Sequence, residues 1–374
     1  MPTAPPVTTS AELVQALARL ESSSFVALDT EFMRESTYYP KLCLIQTAGS
    51  DEPFIIDPLA GPDLQPLWAF LSERHRVKVL HAARQDLEVL SVAIPGAAIP
   101  GPIFDTQIAA ALIGYPAQIG YGTLVSERLG TTLAKGHTRT DWTRRPLSRE
   151  QLEYAEDDVR YLGPLYLDLR RELEARGRLE WLHEETAELE QPQLHRTDPA
   201  SAWRRLKGLD RLQPQQRATA RLLAEWRETA AVKYDKPRGW ILADDALREL
   251  AERLPANRAE LERIRTLPPA VLRKRGDELL ALIERGRAEG SNEPEAVAVT
   301  RPAPEQLALV TKLMAFVRDR AQRLQISPEV LATRRDIERL VFSGRADRLS
   351  NGWRREVIGE PVLELARRSG LVKL

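Results

Sequence analysis

The hydrophobic pattern of this chain changes near residue 190, and that change limits the possible folds more than any other feature. Before it, short apolar runs alternate with helical stretches; the runs are residues 25–28, 42–47, 54–56 and 77–80. Strands that alternate with helices predict an α/β domain with a mixed sheet. After residue 190 the pattern is helical and amphipathic, which predicts small all-α bundles.

Two polar stretches that contain proline divide the chain further. They predict a domain at residues 1–190, a linker at 191–208, a helical domain at 209–289, a linker at 290–304 and a helical domain at 305–374. The helical domains show a weak repeat, in which Trp226, Leu247 and Leu250 correspond to Phe316, Ile337 and Leu340 after a shift of 90 residues. This pattern indicates a degenerate duplication, and chance alignment of amphipathic helices is the alternative.

The charge of the chain is unevenly distributed although its net charge is zero. Residues 1–190 carry 18 Lys and Arg against 28 Asp and Glu, whereas residues 191–374 carry 36 against 26. A basic half attracts the phosphates of a nucleic acid, and an acidic half suits a site that concentrates cations. Solvated helix faces alone would produce the same split, so the asymmetry supports this interpretation without deciding it.

Several classes of protein are excluded by what the sequence lacks. No apolar run approaches the ~18 residues of a membrane span, and the N-terminus has no signal-peptide pattern, so we expect a cytoplasmic protein and no membrane partner. Cys43 is the single cysteine, which rules out an internal disulfide and fits a small core residue. No phosphate-binding G-x-x-x-x-G-K-[ST] loop occurs, so no nucleotide cofactor is expected.

Acidic side chains stand where the predicted elements can bring them together. Asp29 and Glu31 are two apart at the end of a strand and therefore project to the same face. Asp86 follows the fourth strand, at the position where α/β domains commonly carry functional groups. Tyr154 and Asp158 are four apart in a helix and share one face. Each motif alone is also typical of a turn, a helix N-terminus or a solvated helix face.

The order of these motifs resembles a known family. The motifs are Asp29-Thr30-Glu31-Phe32, His81-Ala82-Ala83-Arg84-Gln85-Asp86-Leu87-Glu88, Asp105-Thr106-Gln107 and Tyr154-Ala155-Glu156-Asp157-Asp158. They follow one another as in the DEDD exonucleases of the Tyr-bearing subclass. The ribonuclease D family in particular is similar at three shorter segments: Tyr38-Tyr39-Pro40, Leu44-Ile45-Gln46 and Arg139-Thr140-Asp141-Trp142.

The resemblance implies a fold and an activity. Residues 1–190 would form an α/β ribonuclease H-like 3′-5′ exonuclease domain with a mixed sheet, followed by two small all-α domains similar to HRDC (helicase-and-RNase-D C-terminal) bundles. The implied activity is metal-dependent 3′-to-5′ exoribonuclease action on RNA with a free 3′ end. The implied substrates are tRNA precursors, the products are nucleoside 5′-monophosphates, and we expect a monomer.

The resemblance also assigns roles to five residues. Asp29, Glu31, Asp86 and Asp158 would hold two divalent cations, Mg²⁺ or Mn²⁺, and Tyr154 would assist the attacking water. Two-cation hydrolysis of a phosphodiester requires hard oxygen ligands of this kind. We expect Asp29 to bridge the cations, with Glu31 and Asp158 on the water side and Asp86 on the other.

Other residues near these motifs have weaker assignments. Phe32 and Gln46 are candidate contacts of the terminal nucleotide, and core positions are the alternative. Basic residues that precede the Tyr154 helix are candidate backbone contacts, with a solvated loop as the alternative: Lys135, His137, Arg139, Arg144 and Arg145. A loop in the first helical domain mixes bases with aromatics and is a candidate single-strand platform: Lys233, Tyr234, Lys236, Arg238 and Trp240.

Two motif residues are expected to be structural. Asp105 precedes a helix and is interpreted as its N-cap rather than as a metal ligand. His81 has no partner at metal-ligand spacing, and a hydrogen-bonded structural role is favoured. Two alternatives for the whole chain stay open: a DNA exonuclease that uses the same carboxylates, and a nucleic-acid-binding adaptor with an inert nuclease domain.

Overall fold

The computed structural model describes residues 4–94, 99–134, 140–191, 198–209, 212–291 and 302–372. The chain forms two compact units. The first contains Met1–Met33, Leu42–His195 and Pro302–Leu374, and the second contains Arg34–Lys41 and Arg196–Arg301. The C-terminal helices therefore belong to the same compact unit as the sheet. Within the described parts of the chain, no helix combines the length and apolar character needed to cross a bilayer.

The first unit is built on a five-stranded mixed sheet, as the sequence predicts. The strands are β1 Phe25–Met33, β2 Lys41–Ala48, β3 Phe54–Ile56, β4 Val77–Leu80 and β5 Ile103–Asp105, and their order is β3-β2-β1-β4-β5. Strands β1, β4 and β5 pair in parallel, and β2 pairs with β3 antiparallel. The carboxyl ends of the three parallel strands therefore lie at one edge of the sheet, where acidic residues follow them.

Among the described residues, eight α-helices flank this sheet. They are α1 Ser10–Arg19, α2 Gln65–Leu71, α3 Arg84–Ala93, α4 Thr106–Leu112, α5 Tyr121–Leu129, α6 Arg149–Arg160, α7 Leu162–Ala175 and α8 Leu179–Ala187. Alternate residues of β1 enter two different cores: Phe25 and Ala27 pack in one, Val26 and Leu28 in the other. Both faces of the sheet are therefore covered, which explains why the first four residues of β1 are all apolar and buried.

The remaining helices confirm the predicted repeat. The second unit contains α9 Pro214–Tyr234, α10 Arg238–Ile241, α11 Asp244–Arg253, α12 Arg258–Leu261 and α13 Pro269–Gly290. The C-terminal part of the first unit contains α14 Pro304–Leu324, α15 Pro328–Leu331, α16 Arg334–Ser343, α17 Gly352–Arg354 and α18 Glu360–Arg368. The bounds of α9, α10 and α11 recur in α14, α15 and α16 after a shift of 90 residues. The two sets diverge after their third helix.

Aromatic stacking and a buried ion pair join the C-terminal helices to α8. The rings of Trp181 and Trp353 stack with centroids 4.4 Å apart and planes 9° from parallel. Arg354 donates to both oxygens of Glu185, at 2.6 Å for the Nη2–Oε2 contact. Arg178 donates to the Leu324 carbonyl at 2.5 Å. Because Arg354 is buried, its ion pair with Glu185 must persist for the helices to stay packed.

Replacing Trp353 tests this packing. Trp353→Ala removes the stacked ring and leaves a cavity, so we expect a loss of about 3 to 5 kcal/mol of stability, measured by thermal or denaturant unfolding of the first unit. Trp240→Ala in the second unit is the matched control, because that ring is 63% exposed. Equal stability of the two variants would contradict the packing described.

Candidate metal centre

Strand β1 carries two of the predicted ligands beyond the residues that pair with β4. Asp29 and Glu31 are half-buried and project to the same side, as their spacing predicts. One carboxylate oxygen from each, together with one from Asp158, lies within 4.8 Å of the others. Three of the four predicted ligands therefore converge on a space of the size that one cation occupies.

Helix α6 brings Asp158 and Tyr154 to this point. The helix begins at the predicted capping box, in which Ser148 accepts from Gln151 N and the Gln151 side chain accepts from Ser148 N. The Tyr154 hydroxyl hydrogen-bonds the Asp158 carboxylate one turn further on. The buried ring of Trp142 stacks on Tyr154 with centroids 6.1 Å apart. Trp142 therefore packs against the Tyr154 ring, while the Tyr154 hydroxyl is directed to Asp158.

The fourth predicted ligand, Asp86, is fixed by Thr30. Thr30 donates to Asp86 Oδ1 through its backbone N–H at 3.1 Å and through its hydroxyl at 2.6 Å. Asp86 is buried in the first turn of α3 and lines the same cavity as Asp29, Glu31 and Asp158. Sequence reasoning assigned no function to Thr30. Thr30 lies between two predicted ligands on a strand, so its side chain points to the opposite face of the sheet, towards α3. This alternation is the feature of the sequence that could have identified it.

Asp105 and His81 have the structural roles predicted for them. Asp105 caps α4 by accepting from Gln107 N at 2.8 Å and Ile108 N at 3.3 Å. The same carboxylate accepts from Ala82 N at 3.1 Å and Ala83 N at 2.9 Å. Ala82 has a φ of 58°, an unfavourable value for a residue with a Cβ atom. Asp105 therefore stabilises the left-handed turn that leads into α3 and places Asp86.

Burial and mutual repulsion raise the pKa of every predicted ligand. Burial first, and then the neighbouring Asp158 and Asp86, raise the pKa of Glu31 to about 8. Burial raises the pKa of Asp158 to about 7 and that of Asp86 to about 6, although hydrogen bonds from Tyr154 and Thr30 oppose the shift. The pKa of Asp29 is raised well above its usual range by the same two causes.

This donor set fits divalent cations. Four carboxylates that repel one another in a partly buried space are stabilised by positive charge, and a cation bound there would return them to the ionised form. All the donors are oxygens, which suits Mg²⁺ or Mn²⁺ rather than a metal that prefers thiolate or imidazole. The residues present therefore fit the ions that the family resemblance implies.

The carboxylates line a cavity of about 910 Å³. Phe32 and Tyr121 also line it, and so do residues that follow α14, namely Glu329, Val330 and Arg348. The C-terminal helices thus form part of the wall of the acidic cavity. This wall was not predicted, because the hydrophobic pattern indicated a separate helical domain at residues 305–374.

The structure places the other predicted RNA contacts in different surroundings. The Arg144 side chain is 84% exposed, whereas Arg145 makes an ion pair with Asp57 through two contacts of 2.6 and 2.7 Å. Gln46 is fully buried in β2 and does not line the cavity, so a nucleotide cannot reach its amide in this conformation. Lys135 and Arg139 lie outside the described residues.

The predicted platform of the second unit is exposed in part. Lys233 Nζ lies 5.6 Å from the ring centre of Tyr234, and Lys236 Nζ lies 5.7 Å from that of Trp240. Both rings are exposed. Arg238 differs, because it donates to both oxygens of the buried Glu228 at 2.5 and 2.8 Å. We define the cation–aromatic surface as Lys233, Tyr234, Lys236 and Trp240.

Comparison with known proteins agrees with this site. The 3′-5′ exonuclease family matches residues 5–174, and the HRDC domain family matches residues 216–283. Ribonuclease D of Nitrobacter hamburgensis is 40% identical over 96% of this chain and 94% of its own length. Ribonuclease D of Acidiphilium cryptum is 40% identical over 95% and 92%. The crystal structure of Escherichia coli RNase D, an exoribonuclease involved in structured RNA processing, has a TM-score of 0.85 at 32% identity, over 97% of this chain and 98% of that chain.

The fold and the acidic site together define a 3′-5′ exonuclease that carries an HRDC domain and a further helical region. The identity over nearly the whole length is more specific: the chain belongs to the ribonuclease D family. It is accordingly a metal-dependent 3′-to-5′ exoribonuclease that acts on RNA. The DNA exonuclease and the inert adaptor, which the sequence left open, are thereby set aside.

The raised pKa values predict how stability depends on pH in the absence of metal. The folded-state values of about 6 to 8 for Asp86, Asp158 and Glu31 exceed the usual ~4 of an unfolded chain. Their contribution to stability is therefore fully present below about pH 4 and is lost as the pH rises through 6 to 8. We expect the unfolding temperature in chelator to fall between pH 5 and pH 8 by less in Asp158→Asn than in the wild type. If the unfolding temperature fell equally with pH in both proteins, repulsion that involves the Asp158 carboxylate would be contradicted.

Proposed function

We propose that Asp29, Glu31, Asp86 and Asp158 bind two divalent cations, Mg²⁺ or Mn²⁺, and that RNA is hydrolysed from its 3′ end at this site. The observation that carries the proposal is the convergence of three carboxylates within 4.8 Å, with the pKa values of all four ligands raised. Such a group is unfavourable in a partly buried cavity unless it serves to hold positive charge.

Each residue has a distinct part in this proposal. Asp29, Glu31, Asp86 and Asp158 would hold the cations: Asp29 would be shared by both, Glu31 and Asp158 would act on the side of the attacking water, and Asp86 would act on the side of the leaving group. When bound, the two cations would supply an activated water and would stabilise negative charge on the leaving 3′ oxygen. Burial and the nearby charge of Asp158 raise the pKa of Tyr154, so its hydroxyl keeps its proton and can orient the water by hydrogen bonding. The product is a nucleoside 5′-monophosphate.

We assign structured RNAs such as tRNA precursors as the substrates, and a cytoplasmic monomer as the acting form. Two features support the substrate class. The related E. coli protein is involved in structured RNA processing. Residues 191–374 carry an excess of ten positive charges, which favours a polyanion longer than a dinucleotide.

The RNA would contact residues on both units. Phe32 lines the cavity and can stack on the terminal base, and Arg144 is exposed on the loop before α6. Lys135 and Arg139, which precede Arg144 in the sequence, are also proposed contacts. The cation–aromatic surface offers stacking and phosphate contacts to single-stranded RNA. Arg145 contributes by holding the loop before α6 in place, and Arg238 by holding the start of α10, since each is already engaged by a buried carboxylate.

Neighbouring aspartates in α6 give a matched test of the metal site. Asp158→Asn should lower metal-dependent hydrolysis of a 3′-labelled tRNA precursor at least about a hundredfold, because a ligand charge is lost. Asp157→Asn should retain most activity, because Asp157 lies outside the ligand group and pairs with Arg160 at 3.3 Å. RNA binding in chelator should be similar for both variants. Normal turnover by Asp158→Asn would refute the assignment.

The cation–aromatic surface is tested by the salt dependence of RNA binding. Lys233→Gln with Lys236→Gln should reduce the slope of log affinity against log salt by about 1.4, since each phosphate contact with a single strand contributes about 0.7. The exposed Lys312→Gln serves as the control for loss of charge elsewhere. A slope that does not change in the double variant would remove this surface from the RNA path.

A further inference from the structure

The helical path that carries Asp158 is interrupted just beyond it. Helix α6 ends at Arg160 and α7 begins at Leu162, with Tyr161 between them. The Tyr161 N–H is directed to Val159 O rather than to Asp157 O, its partner in a regular helix. Pro164 has no N–H to offer Arg160 O, which prevents a continuous ladder. The Asp157 carbonyl, one residue before the proposed ligand, therefore lacks its helical donor.

Tyr121 supplies the missing donor. Its hydroxyl donates to Asp157 O at 3.0 Å from the first turn of α5. The Tyr161 N–H interacts with the same phenol oxygen, so the hydroxyl stands between two backbone groups that a regular helix would pair. A side chain inserted into a helical ladder is a recognised cause of a fixed bend. Burial and the charge of Asp158 raise the pKa of Tyr121, so the donated proton is retained.

Two motif residues that have no proposed catalytic role, His81 and Gln107, hold Tyr121 in this position. The Ile119 carbonyl, two residues before Tyr121, accepts from Gln107 Nε2 at 2.9 Å and bonds His81 Nε2 at 3.0 Å. The His81 ring also packs against the Tyr121 ring, with centroids 5.6 Å apart. His81 Nδ1 lies 2.9 Å from the Thr106 hydroxyl. The start of α5 is thus anchored to the elements that follow β4 and β5.

We infer that Tyr121 is a positioning residue for the metal centre: its hydroxyl fixes the bend between α6 and α7 at which Asp158 faces Asp29 and Glu31. This inference rests on the proposed ligand role of Asp158. Without the hydroxyl, the Asp157 carbonyl is left without its donor, and the backbone can relax towards a regular helix. Asp158 would turn with it, and the oxygens would no longer converge as closely.

Cation binding in the absence of RNA tests the inference. We expect Tyr121→Phe, which keeps the ring, to bind Mn²⁺ about fivefold more weakly than the wild type in isothermal titration calorimetry, because one supporting hydrogen bond is lost. Tyr166→Phe is the matched control: it removes a buried phenol of α7 whose oxygen accepts from Arg170 at 3.2 Å. That control should lose stability without loss of Mn²⁺ affinity.

Asp158→Asn separates the two proposals. If it binds Mn²⁺ as the wild type does, the proposed metal site fails and the inference fails with it. If Asp158→Asn loses binding but Tyr121→Phe and Tyr166→Phe both bind normally, the inference alone is overturned. Should Tyr121→Phe not fold, Gln107→Leu takes its place, because it keeps the phenol and removes one bond to Ile119; a Mn²⁺ affinity equal to the wild type would then be the contradicting result.

A second readout distinguishes positioning of Asp158 from contact with RNA, since Tyr121 also lines the cavity. Tyr121→Phe should be several-fold slower than the wild type at limiting Mn²⁺ and within about twofold at saturating Mn²⁺, because excess cation compensates for weaker binding. A raised KM for RNA that excess Mn²⁺ does not correct would assign Tyr121 to the substrate instead and would overturn the inference.

Discussion

Repulsion among buried carboxylates is the constraint on which the rest of the site depends. One carboxylate oxygen each of Asp29, Glu31 and Asp158 lies within 4.8 Å of the others, and burial, followed by neighbouring negative charge, raises the pKa of all three, so the fold holds them together against an electrostatic cost. The hydroxyls of Thr30 and Tyr154 offset part of that cost, since each bonds one ligand directly. The electrostatic cost that remains would be relieved by a bound cation. A site whose carboxylates are already grouped can therefore bind metal without rearranging.

The supporting groups act largely through the backbone. Asp105 bonds the N–H groups of Ala82 and Ala83, and through that turn it sets the start of the helix that bears Asp86. Tyr121 bonds the Asp157 carbonyl beside Asp158. Each group supports the backbone next to a predicted ligand without being a predicted ligand itself. This arrangement explains why the site contains acidic and aromatic residues, such as Asp105 and Tyr121, in addition to the five that are assigned to the reaction.

Local periodicity made much of this site predictable, and contacts distant in sequence account for what it missed. Asp29 and Glu31 follow from strand alternation, and Tyr154 and Asp158 from the helical repeat, because each pair lies within one element. Nothing local distinguishes Arg145, paired with a residue 88 positions away, from the exposed Arg144. The grouping of the C-terminal helices with the sheet was missed for the same reason, since their partners Arg178 and Glu185 lie just before and within α8.

The repeated helical sets show how one backbone pattern serves two kinds of packing. Asp235 and Gln325 occupy the same place after α9 and α14, with φ values of 46° and 51°. At the first corner the Asp235 carboxylate accepts from the N–H groups of Tyr38 and Tyr39 at 3.0 and 3.1 Å. At the second corner the helix-terminal carbonyl of Leu324 accepts from the Arg178 guanidinium. A helix C-terminus exposes unpaired carbonyls that accept hydrogen bonds from basic side chains. The two equivalent corners therefore make different contacts: a side-chain carboxylate binds a neighbouring backbone at the first, and a helix-terminal carbonyl binds a basic side chain at the second.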